Sequence, residues 1–207
     1  MRHTLLTICA LAFSGSAQAA PVLFDIEGEA FDLSQPIVSI DQAIAAASGR
    51  TADATFTPSG LDYPRGARKT VRSSNLLSQL IGVDAGTLSG DDIVLETSVF
   101  VFRGVIDLTG GIETFDVASD DGFALFIDGM EIGRQDRPRS YASTEIMGDF
   151  GIGLKTFALV TYENRGRMGF RLAINGEAAE LRQTPLPPAA ALMAGGAMLL
   201  LRRRRRF

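Results

Sequence analysis

From Ile93 to Ile174 this chain is made of short runs rich in Val, Ile, Thr and Phe, separated by glycine-containing turns. Within the runs apolar residues tend to recur at every second position, a spacing that puts them on one face of a β-strand but not of a helix. Phe123, Leu125 and Ile127 fall on one face of such a strand, Ala124 and Phe126 on the other. Asp128-Gly129 follows at once, a dipeptide suited to the positive φ angles of a two-residue hairpin turn. The same reading makes strands of Ile93 to Leu108 (with Gly104 as a bulge or bend), Ile112 to Val117, Met130 to Ile132, Thr156 to Tyr162 and Met168 to Ile174. Two short helices are expected earlier. Asp41 caps Gln42 to Ala47, which Gly49 ends; Ser73 or Ser74 caps a turn carrying Leu76, Leu77, Leu80 and Ile81, which Gly82 closes. Strands spaced by turns, with little helix, predict an all-β fold: an antiparallel β-sandwich with one or two short helices.

The two ends carry other signatures. Arg2 and His3 precede an apolar run over residues 5–13, and Ala17-Gln18-Ala19 offers a small-x-small cleavage site, so residues 1–19 read as a secretory signal peptide. At the other end Pro185-Leu186-Pro187-Pro188 precedes an apolar run over residues 189–201, then Arg202 to Arg206. As a helix that run spans about 20 Å at ~1.5 Å per residue, short of the ~30 Å hydrocarbon core. The arginines would be held on the cytoplasmic side. Residues 185–207 therefore predict a transient stop in the inner membrane, with a weak single transmembrane span as the alternative.

Residues 20–184 are left as one domain. All 24 acidic residues lie there, while Arg2 and Arg202 to Arg206 take six of the 20 basic ones, leaving 14 basic against 24 acidic and a net charge of −10. The only His (His3) and the only Cys (Cys9) fall within the signal. This excludes disulfides, Cys or His zinc sites, and imidazole or thiolate catalysis from the body. Nucleic acid is a poor partner for so acidic a surface, because its phosphates are neutralised by Lys and Arg.

The densest polar signal is Ser119-Asp120-Asp121-Gly122, between two strands. Two carboxylates about 4 Å apart repel by ~1 kcal/mol in water and ~4 kcal/mol at an effective dielectric of 20, a cost that a bound cation removes. Oxygen ligands without imidazole or thiolate select a hard ion, calcium foremost. From the dipeptide alone, an ordinary solvated turn is the alternative. Asp91-Asp92, after Ser89-Gly90, reads as a turn. Arg134, Arg137, Arg139 and Tyr141 form either a solvated basic loop or a rim to the Asp pair. A glycosidase needs two carboxylates about 5 to 9.5 Å apart across a cleft. Adjacent aspartates point poorly for that task, and nothing in the spacing selects Glu113, Glu145 or Glu163 as a partner.

The stretch from Phe115 through Ser119-Asp120-Asp121-Gly122 to Ile127-Asp128-Gly129 resembles the protective-antigen-type (PA-fourteen) β-sandwich family, whose hallmark is that turn, a strand and that hairpin. Ala54-Thr55-Phe56 with Leu61-Asp62-Tyr63-Pro64, then Phe102-Arg103-Gly104-Val105-Ile106, then Phe157 to Asn164 follow in the family's order, so the resemblance covers about residues 51–176. It implies a non-catalytic module. In sugar-binding members a cis peptide joins the Asp pair, and both side chains hold one calcium that also meets sugar hydroxyls. A second loop there adds an Asn side chain and two backbone carbonyls, two and four residues later. The resemblance therefore implies calcium ligands at Asp120, Asp121, Asn164 and the carbonyls of Gly166 and Met168, with carbohydrate contacts at Asp120, Asp121 and Asn164. Met168 stands where those lectins carry an aromatic residue.

The tail Thr184-Pro185-Leu186-Pro187, with its apolar run and arginines, resembles a PEP-CTERM-type sorting signal in its VPLPA variant, with Thr and Pro replacing the first Val and the Ala. It implies processing by an exosortase-type membrane protease of a Gram-negative bacterium and release to the cell surface or extracellular matrix. The expected protein is an exported, calcium-dependent carbohydrate-binding or adhesion module whose partner is an extracellular glycan. A purely structural sandwich is the alternative.

Overall fold

The computed structural model describes residues 20–66 and 69–183. Strand β1 (Val22–Asp32) leads through helix α1 (Ile40–Ala47) to the short strands β2 (Ala54–Phe56), β3 (Asp62–Tyr63) and β4 (Val71–Arg72). Helix α2 (Leu77–Ile81) and a 3-10 turn (Gly82–Thr87) precede β5 (Ser89–Gly90). Seven strands follow: β6 (Ser98–Thr109), β7 (Ile112–Asp120), β8 (Gly122–Ile127), β9 (Met130–Gln135), β10 (Ala142–Asp149), β11 (Ile152–Glu163) and β12 (Arg167–Ile174). The short strands β13 (Glu177–Ala178) and β14 (Glu180–Arg182) come last.

These strands form two sheets. One runs β5-β2-β1-β6-β11-β8-β9, with β14 added to β1 in parallel; the other runs β10-β7-β12-β13, with β3 and β4 also on β12. The other ladders are antiparallel, giving the expected β-sandwich. The alternation in β8 decides what each side chain meets. Phe123, Leu125 and Ile127 enter the core between the sheets, whereas Ala124 packs beneath Ile40 and Ala43 of α1. Aromatic rings bridge the sheets: Phe102 lies 5.0 Å from Phe170, which lies 5.3 Å from Tyr63. Each fully buried ring of this kind contributes about 1.5–3 kcal/mol.

Several local expectations need correcting. Ile93 to Leu108 is not one strand: Thr97, at φ 62°, breaks the run, and β6 begins at Ser98. Gly104 is not a bulge. The bulge lies in β1 between Phe24 and Glu27, and a Cβ on Gly104 would meet the Ile26 side chain at 2.5 Å, so the glycine makes room for its neighbour's irregularity. Helix α1 is capped by Ser39, whose Oγ accepts from the Gln42 N–H (3.3 Å), while Asp41 lies in the first turn. Helix α2 starts after Leu76 rather than at Ser73 or Ser74, and Asp92 accepts from the Ser78 N–H (2.8 Å) and Oγ (2.7 Å) at that end. The Asp128-Gly129 hairpin turn forms as expected, with φ 50° and 73°.

The ladders also define two ends of the sandwich. At one, Val22 of β1 pairs with Asp107 of β6 and with Glu180 of β14; at the other, Ser98 of β6 pairs with Asp32 and with Glu163. Among the described residues no helix is long and apolar enough to cross a membrane. The predicted signal peptide (residues 1–19) and sorting segment (residues 185–207) lie outside the described residues.

Candidate metal centre

Strand β7 belongs to one sheet and β8 to the other, so the chain changes sheets across Asp120 and Asp121. The peptide between them is cis. The Asp121 N–H donates to Tyr162 O (3.1 Å), the Ser119 Oγ–H donates to Asp121 O (3.0 Å), and the Thr161 Oγ1–H donates to Gly122 O (2.9 Å). Only glycine fits at 122, where a Cβ would meet Gln135 O at 2.5 Å and the Tyr162 ring at 2.6 Å. This crossing sits beside the end of β11, because Tyr162 pairs with Gly122.

Glu163, the last residue of β11, is thereby brought to the Asp pair. One carboxylate oxygen from each of Asp120, Asp121 and Glu163 lies within 4.8 Å of the others, and the three residues are 7, 5 and 0 % exposed. The Asn164 N–H donates to Asp121 (2.9 Å), and the backbone amides of Tyr141 and Arg139 favour the ionised forms of Asp120 and Asp121. Neither oxygen of Glu163 has a hydrogen-bond partner. Burial, then the charges of Asp121 and Asp120, push the Glu163 carboxyl up to about 9. Burial and the neighbouring Asp121 push Asp120 up to about 6, against the Tyr141 amide and the charges of Arg167 and Arg139. Burial also raises Asp121, outweighing its two amides. These groups resist ionising together, because the charges of Arg167 and Arg139 do not offset burial and the repulsion among the carboxylates.

The second loop stands over the same point. Asn164 is half-buried, and its carbonyl accepts from the Thr97 N–H at 3.3 Å. Ser73 pins the loop: its Oγ accepts from the Gly166 N–H (2.9 Å), and its N–H donates to the Gly166 carbonyl (3.1 Å). Met168 lies within β12 opposite Val71, with its side chain buried in the core. Asp120, Asp121 and Gly166 line an open cleft of 360 Å³, together with Arg139, Arg165 and Arg167.

The other candidates part ways. Arg134 lies in β9 and is bound to Asp41 (2.8 Å) and Glu131 (2.8 Å). Arg139 does border the cleft, but its guanidinium is held by Thr144 Oγ1 (2.8 Å), Ala142 O (2.7 Å) and Ser119 Oγ (3.2 Å), over the Phe123 ring. The Arg137 carbonyl accepts from the Gln135 side chain (3.1 Å). Glu113 is engaged by Thr109 and Asn175 near the start of β7, and exposed Glu145 stands opposite Asp116, so neither joins the Asp pair. The resemblance puts the strand that ends at Glu163 and the loop of Arg165 and Arg167 beside the Asp pair, but the expected ligand set names neither Glu163 nor these arginines, and Ser73 is not expected there. As a residue type, Glu163 is an acid directly after an apolar strand run, where a solvated side chain is the ordinary reading.

Oxygen donors alone, three of them carboxylates within 4.8 Å, suit a hard cation, since calcium takes six to eight oxygens at ~2.3–2.6 Å.

No protein-family model matches the sequence, and no curated protein matches it. Solved structures do match in three dimensions. The PA14 domain of the MpAFP antifreeze protein superposes with a TM-score of 0.68 at 20% identity, over 85% of this chain and 100% of that one. A PA14 sugar-binding domain from an RTX adhesin gives 0.64 at 21% identity, over 76% and 90%. The Epithelial Adhesin 9 A domain of Candida glabrata, solved in complex with Galb1-4GlcNAc, gives 0.50 at 11% identity, over 78% and 85%. The chain has the β-sandwich fold of PA14 domains.

Proposed function

We propose that this protein carries a non-catalytic, calcium-dependent carbohydrate-binding module of the adhesion type, formed by residues 20–184. The observation that carries the reading is Glu163: fully buried, with both oxygens unpartnered, beside two more carboxylates. A buried charge without a partner costs several kcal/mol, and a divalent cation among the three acids offsets that cost. Asp120, Asp121 and Glu163 would hold it by their carboxylates. The Asn164 side chain and the carbonyls of Gly166 and Met168 are the further oxygens of the set. The Gly166 carbonyl already accepts from Ser73, which leaves it one lone pair. When bound, calcium supplies coordination positions that two vicinal sugar hydroxyls can fill.

The chain's own residues do the positioning. The Asn164 amide aims Asp121, and Ser73 fixes the loop that carries Asn164. With Met168 buried, Tyr141 is the aromatic side chain near the rim, its ring 6.0 Å from Lys69 Nζ. The sugar-binding RTX adhesin domain and the glycan-bound Candida adhesin support an extracellular glycan as partner. The signal-like residues 1–19 and the VPLPA-like tail support export, a transient stop in the inner membrane, and exosortase-type sorting to the surface or matrix of a Gram-negative bacterium.

Calorimetric titration of the full chain with calcium, with melting measured in calcium and in EDTA, tests the reading. Saturable heat is expected, with a stabilisation of about 2.7 kcal/mol at a hundredfold excess over Kd. No heat and coincident melting would reject the ion site. Calcium binding with no glycan retained on an array would leave the ion a structural role only.

A further inference from the structure

Beside the ion cleft the surface changes sign. Strand β4 pairs with β12 so that Arg72 stands directly opposite Arg167, and both are exposed. Like charges facing each other across an antiparallel ladder repel. Among the described residues neither arginine has a carboxylate within ion-pair distance; the one side-chain hydrogen bond is from Arg167 Nη1 to Thr70 Oγ1, at 3.5 Å. Arg72 and Arg167 line a groove of 430 Å³ with Lys69, Thr70 and Asn75. Arg167 also lines the ion cleft, so the two depressions adjoin. This basic strip lies on a body of net charge −10, so it is a local arrangement and not a result of composition.

We propose that the ligand is an acidic polysaccharide whose uronate carboxylates lie against Arg72 and Arg167, while hydroxyls of an adjoining sugar reach the ion at Asp120 and Asp121. The assignment rests on the calcium reading above. Its chemistry follows from the groups present. A guanidinium fork matches a carboxylate with two parallel N–H···O bonds, and one anion between two facing arginines removes their repulsion. Thr70 and Asn75 add hydroxyl and amide groups able to bond sugar hydroxyls. A neutral glycan would leave Arg72 and Arg167 facing each other with no anion between them. Because the groove is open, the charged contribution is sensitive to salt.

The test is calorimetry on the full chain in saturating calcium, comparing tetragalacturonate with the same tetramer reduced to its neutral alcohol and with a sulfated tetramer. The heat of calcium mixing with uronate is subtracted. The uronate is expected to bind about tenfold or more tightly than the neutral form, with the margin shrinking as NaCl rises. Arg72→Gln combined with Arg167→Gln removes the margin, and the loss of two positive charges leaves calcium bound at least as tightly as in the parent chain. Equal binding of uronate and neutral tetramers overturns the assignment, as does a margin that survives the double substitution or binding of the sulfated form alone. In those cases measured calcium binding keeps the ion site standing. Absence of calcium binding instead rejects the ion site and the uronate assignment together.

Discussion

Asp84, 5 % exposed at the 3-10 turn, accepts hydrogen bonds from the Ser59 hydroxyl, the Ser59 amide (3.0 Å) and the Tyr63 hydroxyl, with Arg65 3.7 Å away. Glu163, equally withdrawn from water at the end of β11, accepts none. Burial pushes both carboxyls upward. At Asp84 the bonds from Ser59 and Tyr63 and the Arg65 charge outweigh it, and the group titrates below its ordinary range. At Glu163 the neighbouring Asp121 and Asp120 add to it. A completed hydrogen-bond shell marks an acid that holds the fold, here tying the 3-10 turn to Ser59 and Tyr63. An empty shell beside like charges marks one arranged for something that arrives from outside.

The largest effect should come from breaking the completed shell. Asp84→Ala leaves the Ser59 and Tyr63 donors and Arg65 without their acceptor and is expected to cost about 3–5 kcal/mol in urea unfolding. Calcium should not restore it. At the open shell the cost falls on binding. Asp120→Ala or Asp121→Ala is expected to weaken calcium by more than about a hundredfold, ~2.7 kcal/mol, and to abolish glycan binding. Asn164→Ala keeps the backbone amide that reaches Asp121 and should weaken both by about tenfold. Titrating microcalorimetry ranks the three.

The sharpest contrast is in pH dependence. Glu163 has its folded carboxyl raised from the ordinary value of 4.5 to about 9. Its contribution to stability is therefore full below its unfolded pKa and is lost as pH rises toward 9. Asp84 has the opposite sign: its contribution holds at neutral pH and disappears as acid protonates it. Melting temperatures of the EDTA-treated chain should fall between about pH 5 and pH 9. Calcium should reverse that trend, and Glu163→Gln should reduce it, leaving the part due to Asp120 below about pH 6. A flat profile in the parent chain would show that Glu163 is not held as described.

Strands with a clean period of two were readable from sequence, and so was the Asp128-Gly129 turn, because local pattern and chain geometry agree there. Strand β1 escaped because its bulge puts Leu23 and Ile26 on the buried side three positions apart, out of phase with any strand template. Strand β10 escaped because, at the edge of its sheet, most of its residues are exposed. The Asp pair announced itself by adjacency. Glu163 could not, since its neighbours at the site are set by the order β6-β11-β8, a property of the whole sheet. Arg72 and Arg167 lie 95 positions apart in sequence and meet only through the β4–β12 ladder.

Val22 and Glu180 lie side by side at the Asp107 end of β6, while Glu163 lies at the Ser98 end, roughly 30 Å away at ~3.3 Å per residue. Strand β1 thus enters the domain at the pole opposite the acidic cluster, whereas β14, parallel to it, starts at that pole and ends at Arg182 beside Phe24, heading toward the cluster. A tether fastened ahead of β1 would point the cleft toward the surroundings, like a lamp on its post, with the length of the sandwich as a built-in stand-off.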